Sequence, residues 1–143
     1  MNILILNGPN LNKLGNREED HYGNFSLWDI ENRLKAEFPK ISFTFFQSNL
    51  EGELVAKIQE TNQLYDGLVI NPGGYAHTSV AVHDALASCK IPKVEVHISN
   101  LAIREEFRQT TLTARQCNGY ISGLKEISYL AGVYSLIKLI ENS

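Results

Sequence analysis

Strand-like and helix-like segments alternate along the whole length of this 143-residue chain. The strand-like segments are short, apolar and rich in β-branched or aromatic residues, and they cover residues 2–7, 41–47, 68–70, 93–98 and 119–122. Each connection between them is long enough for the crossover that joins parallel strands. The pattern therefore predicts an α/β protein, a flavodoxin-like three-layer sandwich with a five-stranded parallel sheet.

Helical periodicity predicts the layers that cover the two faces of this sheet. Ser26 and Asp29 have capping-box spacing before an apolar stripe, and Pro39 ends that helix. Further helices are predicted over residues 51–65, 80–88 and 126–141. The last one is apolar on two faces, which leaves two interpretations open: both faces are buried within the monomer, or a partner subunit covers one of them.

The connection after the first strand is unusually long. Residues 8–24 are rich in Gly, Asn and charge, whereas a βα loop usually has two to six residues. Long loops of this kind tend to be lids or binding loops. The chain shows no repeat and no linker, so we expect one flavodoxin-like catalytic domain over residues 1–143, with a lid loop at about residues 8–25.

Charge and hydropathy argue against several classes of partner. The net charge of −3 argues against nonspecific nucleic-acid binding, which needs a basic face. The apolar runs fall far short of the roughly 20 residues of a transmembrane helix, and residues 1–6 lack the features of a secretory signal. Cys89 and Cys117 are not paired by spacing and are expected to be reduced thiols. We therefore expect a cytoplasmic protein with no membrane partner.

The common cofactor and metal motifs do not occur in the sequence. There is no GxGxxG, GxxxxGK[ST], HExxH or GxSxG pattern, and the acidic residues are not clustered with the histidines. We therefore expect neither a metal nor a cofactor. A flavin mononucleotide site stays open at this point, because its loops are less stereotyped.

Polar side chains follow several of the predicted strands. A turn with Pro72, Gly73 and Gly74 ends the central strand, and ligands bind at this edge of open α/β sheets. The candidate residues there and on the adjacent loops are Asn10, Arg17, Tyr22, Asn71, His77, His97, Ser99 and Arg108. Arginine binds carboxylates, histidine and tyrosine transfer protons, and asparagine positions a water or an oxyanion. The set suggests proton transfer on an anionic, oxygen-rich small molecule.

Each of these residues also has an ordinary structural interpretation. A lone histidine is usually a surface or core residue, and a tyrosine on a flexible loop usually packs that loop. The segment Arg104–Arg108 is typical of a solvated helical turn with charge pairs. From the residues alone, an enzyme and a binding module that carries FMN or a protein partner both remain open.

Five separated segments closely resemble type II 3-dehydroquinate dehydratases. They are Leu6–Glu18, Tyr22-Gly23, Asn71–Ser79, Glu95–Asn100 and Arg104–Arg108, in the family's order and spacing. The resemblance implies a flavodoxin-like lyase that needs no metal or cofactor and assembles as a homododecamer of trimers. It further implies the shikimate pathway of chorismate and aromatic amino-acid biosynthesis, and it leaves quinate catabolism open, because both use the same reaction. The implied reaction is the anti elimination of water from 3-dehydroquinate, through an enolate, to give 3-dehydroshikimate.

The resemblance also implies catalytic roles. Tyr22 matches the general base that removes the proton α to the ketone, and Arg17 matches the cation that favours its phenolate, since phenols ordinarily ionise near pH 10. His97 matches the general acid that protonates the departing hydroxyl, with Glu95 placed to orient it. Asn10 matches the residue that holds a water against the enolate oxygen.

Substrate-binding positions carry over in the same way. They are Asn71, His77, Ile98, Ser99 and Arg108, together with Asp84, an acid that matches one reaching the site of a neighbouring subunit.

Three positions depart from the family pattern. Glu19 replaces a common proline and is expected to loosen the lid loop, and Lys125 and Ser128 replace glycines, which puts the local backbone in question. A homologue that has lost turnover is a further alternative, which the intact motifs argue against.

Overall fold

The computed structural model describes all 143 residues and has a five-stranded parallel sheet at its centre. The strands are β1 (Asn2–Asn7), β2 (Ser42–Gln47), β3 (Gly67–Asn71), β4 (Lys93–His97) and β5 (Gly119–Ser122). Their order in the sheet is β2-β1-β3-β4-β5, and all neighbours are parallel. This is the strand order of flavodoxin-like proteins, so the predicted fold class is confirmed.

Six α-helices accompany the sheet. They are α1 (Glu19–Tyr22), α2 (Leu27–Glu37), α3 (Glu51–Gln59), α4 (Thr61–Leu64), α5 (Val80–Ser88) and α6 (Ile127–Glu141). The capping box of Ser26 and Asp29 is present at the start of α2. None of the helices combines the length and the apolar character that crossing a membrane requires.

The predicted continuous helix over residues 51–65 is wrong. It is divided at Glu60 into α3 and the single turn α4. The buried hydroxyl of Thr61 donates to the Ile58 carbonyl at 2.7 Å. Such a side-chain bond competes with the helical backbone ladder and disrupts it.

Two apolar cores lie on opposite faces of the sheet, because successive strand residues point to opposite sides. Ile3, Ile5 and Val69 pack with the buried stripes of α2 and α6. Leu4, Leu6, Leu68 and Ile70 pack with α3 and α5 on the other face. The result is the three-layer arrangement that the alternating pattern predicts. Cys89 and Cys117 are free thiols in or against the second core.

Helix α6 has one covered face and one partly open face. Tyr129, Val133 and Leu136 are fully buried against the sheet. On the other stripe, Ile127 and Tyr134 remain 47% and 60% exposed. Leu130 and Ile137 of the same stripe are partly buried against the core. The chain itself therefore covers this second stripe only in part, and full burial of both faces within the monomer is not observed.

The loops after β1 and β3 meet closely at the carboxyl edge of the sheet. Gly8 donates its backbone N–H to the Asn71 carbonyl at 2.8 Å. A Cβ atom at Gly8 would lie 2.3 Å from the Pro72 oxygen, so a larger residue does not fit there. This close approach brings Asn10 and Asn71 to one place.

Candidate active site

A cleft lies at the carboxyl ends of β1, β3 and β4. Its lining includes most of the predicted site residues: Asn10, Arg17, Tyr22, Asn71, His77, His97, Ile98, Ser99 and Arg108. Two predicted residues are not part of this lining. Glu95 is completely buried and contacts His97 Nε2. Asp84 lies on α5, and its side chain is 70% exposed.

Two arginines contact the hydroxyl of Tyr22. Arg17 Nη2 donates to the phenol oxygen at 2.7 Å, and the guanidinium carbon lies 3.7 Å from the ring centroid. Arg104 Nη1 donates to the same oxygen at 2.5 Å and also to Ser99 Oγ at 3.1 Å. Tyr22 itself is only 5% exposed. Two cationic guanidinium groups therefore donate to one shielded phenol oxygen.

His97 and Glu95 form a buried dyad at the end of β4. His97 Nε2 lies 2.6 Å from Glu95 Oε2, and the second carboxylate oxygen accepts a hydrogen bond from Thr113. A carboxylate in this position selects the tautomer with a proton on Nε2. The dyad has the components of a general acid.

His77 lies beside this dyad. The His77 and His97 rings are 6.2 Å apart and nearly parallel. His77 Nδ1 lies 2.8 Å from the Thr110 carbonyl, which fixes the ring with its donor on that side. Burial lowers the pKa of His77 below its ordinary value of 6.5, although the Thr110 carbonyl opposes this effect. His77 is therefore neutral at pH 7 and offers Nε2 as an acceptor.

Asn71 has its amide fixed by two partners. Its Oδ1 accepts from the Gly73 N–H at 3.1 Å, and its Nδ2 donates to the Tyr129 hydroxyl at 3.0 Å. Tyr129 in turn donates to Asn7 Oδ1 at 2.5 Å. Burial raises the pKa of Tyr129, so its hydroxyl remains neutral and serves as both donor and acceptor. One N–H of the Asn71 amide is left for a ligand.

The lid loop is attached to the segment before α6. Lys125 Nζ donates to the Glu19 carbonyl at 3.0 Å, at the first residue of α1. Lys125 has a φ of 53°, the left-handed conformation that a glycine adopts most easily. Ser128 is buried and its hydroxyl accepts from the Leu124 N–H at 3.1 Å. The backbone at these two substituted positions is thus accommodated, while the effect of Glu19 on the lid loop stays a prediction.

Sequence reasoning missed Arg104 as a functional residue. It treated the segment Arg104–Arg108 as a charged, solvated turn and selected only Arg108. In the structure, Arg104 reaches Tyr22, which lies 82 positions earlier in the chain. The presence of two arginines in one segment that follows a site strand is the signal that points to Arg104.

Tyr129 lies on a buried stripe, as predicted, but periodicity carries no information about the hydrogen-bond partners of its hydroxyl.

The largest cavity of the protein lies elsewhere. It has a volume of about 500 Å³, compared with about 80 Å³ for the cleft, and it is enclosed by the lid loop, α2 and the start of α6. None of the predicted site residues lines it. We assign the chemistry to the smaller cleft, because the proton-transfer groups converge there.

The parallel sheet and the cleft at its carboxyl edge define an α/β enzyme of flavodoxin-like architecture. Comparisons with known proteins identify the group more narrowly. The family model described as dehydroquinase class II matches residues 1–137. The chain is 49% identical to a 3-dehydroquinate dehydratase of Fusobacterium nucleatum, over 96% of this chain and 97% of that protein. It is 48% identical to the one from Aliarcobacter butzleri, over 98% and 87% of the two chains.

Solved structures agree with these relatives. The type II dehydroquinase from Butyrivibrio crossotus superposes with a TM-score of 0.92 at 45% identity, covering 96% of this chain and 97% of that one. The enzyme from Propionibacterium acnes superposes with a TM-score of 0.88 at 35% identity, covering 95% and 96%. The chain belongs to the type II 3-dehydroquinate dehydratase family, a family of hydro-lyases. The resemblance noted from the five sequence segments is confirmed, and the enzyme is favoured over the binding module.

Proposed function

We propose that this protein removes water from 3-dehydroquinate to give 3-dehydroshikimate, as a step of the shikimate pathway. The observation that carries this proposal is the pairing of two proton-transfer groups in one cleft. Tyr22, held by Arg17 and Arg104, is suited to be the base. His97, supported by Glu95, is suited to be the acid. The relatives from Fusobacterium nucleatum and Aliarcobacter butzleri are 3-dehydroquinate dehydratases, which supports the same substrate.

In the first step, the Tyr22 phenolate takes the proton α to the ketone. The electron pair of the broken C–H bond moves onto the carbonyl oxygen, and an enolate forms. Asn10 holds a water that donates to this oxygen. Asn10 has a left-handed backbone (φ 68°), and its N–H donates to Asn49 Oδ1 at 3.0 Å, which fixes its position in the cleft. Stabilising the developing oxyanion lowers the barrier for this step.

In the second step, His97 gives a proton to the departing hydroxyl. The C–O bond breaks, the enolate electrons form the carbon–carbon double bond, and the ketone is restored. Tyr22 comes from the lid loop and His97 from the end of β4, so the base and the acid belong to separate elements. In our proposal, the proton and the hydroxyl leave from opposite faces of the substrate, which is an anti elimination.

The remaining polar groups bind the substrate. Arg108 and the backbone amides after His97 suit its carboxylate, while His77, Asn71 and Ser99 suit its hydroxyl groups. Asp84 is exposed on α5 rather than directed into its own cleft. In our proposal it contacts the site of a neighbouring subunit in a dodecamer built from trimers.

The proposal is tested by ultraviolet absorbance, because the product contains a conjugated enone and the substrate does not. Purified protein mixed with 3-dehydroquinate is expected to give a steady rise in enone absorbance. A metal chelator is expected to leave the rate unchanged. A folded protein that produces no enone would refute the proposed reaction.

Arg104→Gln is expected to lower kcat about tenfold. This loss is smaller than the loss expected when a general base itself is removed. The variant removes one of the two guanidinium groups that donate to the Tyr22 phenol oxygen and leaves only Arg17 there. Arg104→Lys keeps the charge, and its kcat should lie between that of the unmodified enzyme and that of Arg104→Gln. Arg115→Gln removes an exposed arginine outside the cleft and serves as the control. An unchanged kcat in Arg104→Gln would exclude this role for Arg104.

A further inference from the structure

Both carboxylate oxygens of Glu95 have a hydrogen-bond partner, although the proposed mechanism assigns a role only to the oxygen that contacts His97. Oε2 contacts His97 Nε2 at 2.6 Å. Oε1 accepts a hydrogen bond from the hydroxyl of Thr113, and both residues are fully buried. A buried carboxylate remains charged only when its oxygens are paired. The Thr113 hydroxyl is therefore one of the two partners that satisfy Glu95 at its buried position.

Thr113 belongs to a segment that contacts both histidines of the cleft. Residues 110–113 lie between β4 and β5. The Thr110 carbonyl lies 2.8 Å from His77 Nδ1, and the Leu112 N–H donates to the Ala76 carbonyl at 2.7 Å. These contacts attach the segment to the turn after β3. They fix the point from which the Thr113 hydroxyl reaches Glu95.

We propose that Thr113 is a positioning residue for the general acid and acts on His97 through Glu95; this inference rests on the proposed function. With Oε1 held by Thr113, the carboxylate does not rotate, and Oε2 stays directed at His97 Nε2. The imidazolium then keeps its Nε2 proton and releases the Nδ1 proton to the departing hydroxyl. Nδ1 has no hydrogen-bond partner within the chain, so this proton is free to move. The neutral imidazole that remains still donates from Nε2 to Glu95.

No other group donates a hydrogen bond to Glu95 Oε1 in the structure. The Cys117 thiol donates instead to the Thr113 backbone carbonyl at 3.6 Å. The Lys93 ammonium donates to a backbone carbonyl at 2.6 Å. The rings of His77 and Tyr120 lie 6.2 and 6.3 Å from the His97 ring. Removing the Thr113 hydroxyl therefore leaves one oxygen of Glu95 without a donor.

Thr113→Val tests this role, because valine has nearly the same shape but no hydroxyl. We expect kcat to fall about tenfold, which is less than the loss expected when a general acid itself is removed. KM should stay within about twofold of the value for the unmodified enzyme. Thr113→Ser keeps the hydroxyl and should stay within about threefold in kcat. Thr111→Val is the matched control, since the Thr111 side chain is only partly buried and makes no hydrogen bond within the chain. If Thr113→Val does not assemble, Thr113→Ala replaces it in the comparison with serine.

A spectroscopic readout separates this inference from the proposed function. Solid-state ¹⁵N NMR of histidine-labelled protein should show His97 with its proton on Nε2 in the unmodified and serine proteins. The valine or alanine protein should show a mixture of tautomers. The inference is overturned if the hydroxyl-free variant keeps both the kcat and the tautomer, or if the serine variant loses as much as the valine variant. An unmodified protein without turnover, but with a tautomer that depends on the Thr113 hydroxyl, would support the positioning role and refute only the proposed reaction.

Discussion

Tyr22→Phe is expected to lower kcat by about three orders of magnitude, within the usual range for removing a general base. The variant loses only the phenol oxygen, which Arg17 and Arg104 contact at 2.7 and 2.5 Å. The ring remains in the lid loop, so KM and product affinity should change by no more than a few fold. Steady-state kinetics and calorimetric product binding measure the two effects separately.

The matched control is Tyr134→Phe, which removes a phenol oxygen from the exposed stripe of α6. It should leave kcat unchanged. Hydrogen–deuterium exchange at the substrate carbon α to the ketone adds a second readout, since it requires only the base. Tyr22→Phe should abolish this exchange together with product formation. Near-normal turnover in Tyr22→Phe would contradict the assignment of the base.

His97→Gln is expected to lower kcat by about two to three orders of magnitude, because the departing hydroxyl loses its proton donor. Glutamine keeps a donor for Glu95, which avoids leaving a buried, unpaired carboxylate. The enolate should still form in this variant. Exchange of the α proton with D₂O, followed by ¹H NMR, should therefore continue while product formation nearly stops.

The two variants thus separate the two steps of the mechanism. Loss of Tyr22 should stop both exchange and elimination, and loss of His97 should stop mainly elimination. Unimpaired turnover in His97→Gln would exclude its role as the acid. Equal loss of exchange and elimination in His97→Gln would contradict an enolate that forms before the hydroxyl leaves.

Residues at strand ends were predictable because local patterns determine them. The buried run before Pro72 places Asn71 at the carboxyl end of β3, and the run before Ser99 places His97 at the end of β4. Parallel strands then bring both to one edge of the sheet. Local pattern also predicts the capping box at Ser26, which the structure confirms.

Residues joined by long-range contacts were not predictable in this way. The bond of Arg104 to Tyr22 depends on how the lid loop folds over the end of β4. The bond of Tyr129 to Asn71 spans 58 positions, and that of Thr113 to Glu95 depends on an irregular segment. Helical periodicity likewise could not show that the Thr61 hydroxyl ends α3 early. Each of these contacts is a single side-chain bond that leaves the pattern of apolar residues unchanged.

In the proposed mechanism, the reaction proceeds by proton transfer between side chains and substrate, without a covalent intermediate. No lysine lines the cleft, so no amine is placed there to form a Schiff base with the ketone. The most direct test is to treat the protein with borohydride in the presence of 3-dehydroquinate, then to measure turnover and protein mass. We expect full activity and an unchanged mass. Loss of activity together with a substrate-sized mass increase on a lysine would contradict the account.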